Sequence, residues 1–137
     1  MKGMPVKEQI DMLQKLSLRY NNAVVVVEKN NVGVALIQEL QNRNVNVETF
    51  ITTSQSKEGI IRYLVNEMTN GNLIIPFEGE NCIKLRNELA NFGIINTKTG
   101  NERMEALSGK DDLVMSLAIN NFSCQMKNMG PSLALLY

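Results

Sequence analysis

The sequence predicts an α/β fold in which a mostly parallel sheet is flanked by helices and a β-hairpin precedes the last helix. Four consecutive valines lie within Ala23–Glu28, a pattern typical of a strand that is covered on both faces in a parallel sheet. Apolar residues at helical spacing precede and follow this run, so helices alternate with strands. Two short apolar segments on either side of Gly100 predict the hairpin.

Capping and breaking residues mark most of the predicted element boundaries. Pro5 suits a first helical turn, and Ser54 or Ser56 suits a helix N-cap. Gly93 is suited to closing a helix, whereas the apolar tail 132–137 is too short to classify. The predicted helices cover residues 5–19, 32–41, 54–70, 80–92 and 111–127, and the predicted strands cover 23–28, 45–52, 73–76, 94–95 and 104–106.

Composition indicates one domain of an intracellular protein. A chain of 137 residues with 44% hydrophobic side chains is large enough to bury a core. Its apolar runs are too short to span a bilayer, and its first residues lack the apolar centre of a signal peptide. We therefore expect a cytoplasmic protein with no membrane partner. Because 14 basic residues balance 14 acidic ones, affinity for nucleic acid would require a local basic patch.

Histidine is absent from the sequence. This excludes Ser-His-Asp triads, Cys-His pairs and histidine-bearing zinc sites. Cys82 and Cys124 show no CxxC spacing and are predicted to be buried small hydrophobes without a function. With histidine absent, the residue types that remain for catalysis are carboxylates, lysine, tyrosine and cysteine.

Carboxylates occur at two promising places. Glu28 ends the valine-rich strand, and ligands of open α/β sheets bind beyond the carboxyl ends of strands. Asp111 and Asp112 begin the last apolar helix. Simpler alternatives are that Glu28 faces solvent and that the aspartates cap the helix. Two adjacent aspartates exceed what one cap needs, however, and their repulsion favours a nearby cation or basic group.

Two lysines are candidates for contacts with phosphate. Lys57 lies at the start of the third predicted helix, and Lys110 directly precedes the aspartates. The alternative for each is an ordinary solvated surface lysine.

Two motifs together resemble a known family. EKNNVG at Glu28–Gly33, combined with GKDDLVMSLA at Gly109–Ala118, resembles the nuclease domain of phage large terminase subunits, which has a ribonuclease H-like fold. Thr53, Lys57 and the LIIP segment at 73–76 agree with it. The resemblance implies a DNA endonuclease that cuts concatemeric viral DNA during genome packaging, by two-metal hydrolysis with Mg²⁺ or Mn²⁺.

The resemblance also implies site residues and partners. Glu28 matches the metal-binding glutamate of the family, and Asp111 or Asp112 matches the aspartate of its paired motif. The helical register favours Asp112 as the ligand, with Asp111 as a cap or an outer ligand. The implied partners are double-stranded DNA, the terminase ATPase part, the small terminase and the portal, in the host cytoplasm.

The sequence departs from the family at its amino-terminal end. The first strand of the family, which carries a catalytic aspartate, has no counterpart before residue 23, and no GxxxxGK[ST] loop is present. Residues 1–137 are therefore interpreted as a single fragment of a terminase-type nuclease domain with an incomplete metal site. An open edge at Ala23–Glu28 would favour self-association or a companion chain that supplies the missing strands.

Two other hypotheses remain open. The chain could be a truncated, catalytically inactive terminase remnant that serves only as a binding or assembly module. It could also be a generic α/β domain whose carboxylates are helix caps.

Overall fold

The computed structural model of the chain describes residues 3–29, 33–96, 98, 100, 102–126 and 132–135. The chain divides into two compact units, Met1–Thr52 with Ile119–Tyr137 and Thr53–Ala118. In the described ranges, no helix is long and apolar enough to cross a membrane. The helices are α1 (Val6–Arg19), α2 (Gly33–Asn42), α3 (Ser54–Thr69), α4 (Glu80–Ala90) and α5 (Asp112–Met126), and the strands are β1 (Val24–Glu28), β2 (Val47–Phe50), β3 (Phe92–Asn96), β4 (Glu102–Ala106) and β5 (Ser132–Leu135).

The first unit is built around β1. This strand pairs in parallel with β2 on one side and with β5 on the other. Val25 and Val27 are fully buried, as expected for a strand with helices on its faces. Side chains from α1, α2 and the following loop pack with them in one core, whose buried members are Ile10, Leu13, Val25, Val27, Leu36, Ile37, Leu40 and Val45.

An ion-pair cluster at Arg43 joins the two helices of this unit. The Arg43 guanidinium donates to the carboxylate of Asp11 on α1 and, at 3.0 Å, to Glu39 on α2. The side-chain hydrogen bond from Arg43 lowers the pKa of Asp11. Because Asp11 lies 32 residues from Arg43 in the sequence, this contact helps to fix how α1 and α2 pack over β1.

The prediction of an open edge at Ala23–Glu28 is wrong. Val24 to Val27 pair residue by residue with Ser132 to Leu135 of β5, so both sides of β1 carry a neighbouring strand. The sequence leaves the segment at 132–135 unclassified, because one serine and three apolar residues are too few to show a periodicity. The free edge was the physical reason for expecting self-association, and β5 removes that reason.

The second unit contains α3, α4, the β3–β4 hairpin and the first half of α5. On α3, Ile60, Ile61 and Leu64 are buried, and α3 packs on β4. The hairpin is antiparallel with Phe92 opposite Ala106, which confirms the predicted hairpin before the last helix. Gly93 is part of β3 rather than the end of a helix. A Cβ at Gly93 would lie 3.1 Å from the Leu107 side chain, so a larger residue here would require that side chain to shift by a few tenths of an ångström.

The predicted strand at Leu73–Pro76 is also wrong, because these residues form no strand. The Ile74 side chain is 84% exposed. No strand of the described residues pairs with this segment, and an aliphatic run without a pairing partner gains neither ladder hydrogen bonds nor burial.

Candidate functional site

In the second unit, the starts of α3 and α5 lie at the predicted aspartates. A capping box sets the start of α3. The Ser56 backbone N–H donates to the Thr53 hydroxyl at 3.0 Å, and the Thr53 N–H donates to the Ser56 hydroxyl at 2.8 Å. Thr53 is therefore the N-cap, where the sequence predicted Ser54 or Ser56. This reciprocal cap fixes the first turn of α3, which carries Lys57.

Lys57 forms an ion pair with Asp111. The distance from Lys57 Nζ to Asp111 Oδ2 is 2.8 Å, and the two side chains are 23% and 28% exposed. The ammonium also lies 5.7 Å from the centre of the Phe92 ring, within the range of a cation–π contact. Lys57 is thus the basic group that balances one of the two adjacent aspartates, rather than a fully solvated surface lysine.

The start of α5 is capped by Glu88 of α4. The carboxylate oxygen Glu88 Oε2 accepts a hydrogen bond from the Leu113 N–H at 2.8 Å and a longer one from the Val114 N–H at 3.4 Å. These are N–H groups of the first helical turn, which have no partner inside the helix. The negative charge also suits the positive end of the helix dipole.

The three acidic side chains around the start of α5 therefore differ in their contacts. Glu88 bonds the helix start and Asp111 bonds Lys57. Asp112 is exposed, and its carboxylate forms no hydrogen bond or ion pair with any residue that the structure describes. Lys110 is likewise exposed, and forms no ion pair within the described ranges.

Glu28 belongs to the other unit and ends β1, as predicted. It pairs with Phe50 in the parallel register, and the N–H of the following Lys29 donates to the Phe50 carbonyl at 2.7 Å. This ladder holds the strand end rigidly. The Glu28 side chain is half-buried and has no hydrogen-bond or ion-pair partner among the described residues.

Each of the carboxylates of Asp112 and Glu28, taken by itself, is an oxygen donor of the kind that a hard divalent cation prefers. Mg²⁺ commonly takes one or two protein carboxylates and completes its shell with water and substrate phosphate. Among the described residues, none forms a hydrogen bond or an ion pair with the carboxylate of Asp112 or with that of Glu28. No group of three or more acidic or cysteine side chains in the described ranges is placed to hold a metal ion.

The comparisons point to one kind of protein. The chain is 35% identical to the large terminase subunits of Thermus phage G20c and Thermus virus P23-45 over 121 residues, which is 87% of the chain and 24% of each relative. Solved large terminase nucleases of phage G20c, with bound magnesium and with bound cobalt, match at 34% and 35% identity. Their TM-scores are 0.75 and 0.76, over 85% and 87% of this chain and 61% and 62% of theirs.

The chain is homologous to the nuclease domain of phage large terminase subunits.

This terminase nuclease homologue has the α/β, ribonuclease H-like fold that the motifs implied. The Thermus phage P74-26 large terminase nuclease domain matches with a TM-score of 0.76 and 30% identity, over 96% of this chain and 66% of that one. No protein-family model matches the chain. The homologue therefore spans about a quarter of the length of its curated relatives, and 61–66% of the solved nuclease domains.

The structure brings together part of the predicted set of site residues. Lys57 and Asp111 are in contact, and Asp112 follows directly at the start of α5. The roles of Glu28, Asp111 and Asp112 in metal binding, and of Lys57 and Lys110 in phosphate binding, stay predictions. Glu88 was missed, because it meets α5 across 25 residues of sequence and a single glutamate within a helix carries no signal of its own.

Proposed function

We propose that this chain is a nuclease part of a viral DNA-packaging terminase and hydrolyses double-stranded DNA with the help of a divalent metal ion, Mg²⁺ or Mn²⁺. The homology to large terminase nucleases, one of which was solved with bound magnesium, carries the proposal. The carboxylates of Glu28 and Asp112, which have no hydrogen-bond or ion-pair partner among the described residues, support it because they are oxygen donors of the kind that Mg²⁺ prefers.

In this proposal Glu28 and Asp112 are the metal ligands, and Asp111 is an outer residue held by Lys57. Glu28 is fixed by the ladder of β1, and Asp112 by the capped start of α5. When bound, the divalent ions would supply an activated water as nucleophile and stabilise the leaving oxygen. The exposed ammonium of Lys110 is available to a DNA phosphate, and Lys57 could reach one only by loosening its bond to Asp111.

The proposed substrate is concatemeric viral DNA, which the enzyme would cut in the host cytoplasm during genome packaging. The proposed partners are the ATPase part of a terminase, the small terminase and the portal. A companion chain that completes the metal site also belongs to this proposal, because few protein ligands are available within the described ranges.

The direct test is nicking of supercoiled plasmid by the purified chain across a Mn²⁺ titration. We expect metal-dependent nicking that Glu28→Gln or Asp112→Asn reduces to the level seen without metal. Glu80→Gln is the matched control, since Glu80 is an exposed acid that pairs with Lys84 on α4. Equal nicking by wild type and Asp112→Asn would contradict the assignment.

An inactive binding or assembly module is the second candidate function. The absence of a three-ligand group within the described residues favours it. In that case the folded chain would shift DNA in a gel without cutting it at any Mn²⁺ concentration. Restored cleavage on adding a companion chain with an acidic first strand would identify a split enzyme instead.

A further inference from the structure

We infer that Glu88 is a positioning residue for Asp112: by capping α5 in place of Asp111, it holds the start of the helix and leaves one aspartate available for a cation. This role rests on the proposed function of Asp112. It adds a residue that neither motif contains.

The hydrogen bonds at the start of α5 show the division of roles. The Asp111 carbonyl accepts from the Met115 N–H at 2.9 Å, so Asp111 stands at the N-cap position. An N-cap aspartate ordinarily also accepts from the N–H groups two or three residues later with its side chain. Here those two N–H groups, of Leu113 and Val114, donate to Glu88 instead.

Asp111 is consequently free to bond another group, and that group is Lys57 at 2.8 Å. The pair is about three-quarters buried, so solvent screens it less than a fully exposed pair. A lysine on α3 and a glutamate on α4 thus hold the start of α5 from two neighbouring elements. Asp112 is the acidic side chain of this group that neither contact occupies.

Loss of the Glu88 carboxylate would disturb this arrangement in a definite way. The Leu113 and Val114 N–H groups would lose their acceptor. The replacement that the chain offers is the carboxylate of Asp111 at the N-cap position, two and three residues earlier. Its rotation toward the helix would weaken the bond to Lys57. Otherwise the first turn of α5 would fray, and Asp112, as the first residue of α5, would lose its fixed position.

The experiment measures Mn²⁺ affinity of the full chain by titration calorimetry, beside nicking at saturating metal. We expect Glu88→Ala to weaken Mn²⁺ binding by about tenfold, the lower end of the effect of removing a residue that orients a metal ligand. Glu88→Gln keeps an acceptor oxygen and should stay within about twofold of wild type. Glu80→Ala, which removes an acid from the same helix, should leave the affinity unchanged.

Amide hydrogen exchange supplies a readout that does not depend on metal. Glu88→Ala should speed exchange at the Leu113 and Val114 amides in metal-free protein, and Glu80→Ala should not. If Glu88→Ala lowers only the melting temperature while Mn²⁺ affinity and nicking stay at wild-type values, the positioning role is overturned.

The two hypotheses fail in different ways. If Asp112→Asn loses Mn²⁺ affinity but Glu88→Ala does not, the role of Glu88 is overturned and the proposed function stands. If Asp112→Asn binds Mn²⁺ as tightly as wild type, the proposed ligand is wrong. Glu88 is then a structural cap alone, whatever the exchange of the two amides.

Discussion

Of two aliphatic runs of similar length in this protein, one forms a buried strand and the other forms no strand. Val24 to Val27 form the central strand of the described three-stranded sheet and are 0–6% exposed. The run that begins at Leu73 forms no strand, and its Ile74 and the nearby Phe77 are 84% and 76% exposed. Hydrophobicity is therefore not what separates them.

The difference lies in the partners that each run has within its own unit. Val24 to Val27 have a parallel strand on one side at β2 and another on the other side at β5, with core side chains of α1 and α2 packed on them. Beside the second run, Arg86 lies 4.1 Å from the centre of the Phe77 ring and donates to the Phe77 carbonyl at 3.2 Å. A strand thus requires neighbours as well as suitable residues.

The largest expected effect comes from a charge placed in the paired run. Val25 is 0% exposed, so Val25→Asp would bury an unpaired carboxylate and lower the free energy of unfolding by about 3–5 kcal/mol. Urea unfolding followed by circular dichroism measures it. If this variant does not fold, Val25→Ala should cost about 2 kcal/mol. The control is Val34→Asp on the exposed side of α2, expected within about 0.5 kcal/mol of wild type.

A smaller effect should appear in acid, through the ion pair that joins the two helices over β1. The hydrogen bond from Arg43 lowers the pKa of Asp11 in the folded state. A lowered carboxyl pKa adds stability that is fully present above the ordinary value of about 4 and is lost as pH falls through the lowered value. We therefore expect stability to decline below about pH 4.

Asp11→Asn should flatten this acid dependence, measured as the midpoint of urea unfolding from pH 6 down to pH 2. The control is Glu8→Gln, because Glu8 lies on the same helix and forms no ion pair within the described residues. A wild-type acid slope in Asp11→Asn would show that the pair with Arg43 does not link stability to pH.

The smallest effect is expected in the unpaired run. Ile74 is 84% exposed, so Ile74→Asp should change the free energy of unfolding by less than about 0.5 kcal/mol. The same urea experiment measures it beside Val25→Asp. A loss above about 2 kcal/mol would mean that Ile74 packs as in a strand, and the contrast between the two runs would then fail.

Local patterns were sufficient for most of the elements. The helices α1 to α5 of the described residues were predicted close to their observed bounds, and β1, β2 and the hairpin were also found. Each of these has a signal within a few residues, such as helical spacing, a valine run or turn residues on both sides. The exceptions are Leu73–Pro76 and the tail strand β5, whose states depend on pairing with distant residues.

In the candidate site, too, the sequence predicted the features with a local signal and missed those that depend on contacts between distant residues. Sequence reasoning selected Asp111 and Asp112 and noted that two adjacent acids need a nearby cation or a basic group, but it did not identify Lys57 as the partner of Asp111. It also did not find Glu88 as the acceptor for the start of α5. Both contacts join different helices, at 2.8 Å each, so no pattern along the chain encodes them.

The sequence by itself determined the α/β character, the positions of the acidic residues and the family likeness, because periodicity and motifs are local properties of a chain. Only the tertiary structure decided that β5 pairs with β1. It also decided that, within the part of the chain that is described, Leu73–Pro76 has no strand partner and Asp111 rather than Asp112 has an ion-pair partner. Strand pairing and ion pairing depend on distances in space between residues far apart in sequence, and those distances exist only once the chain is folded.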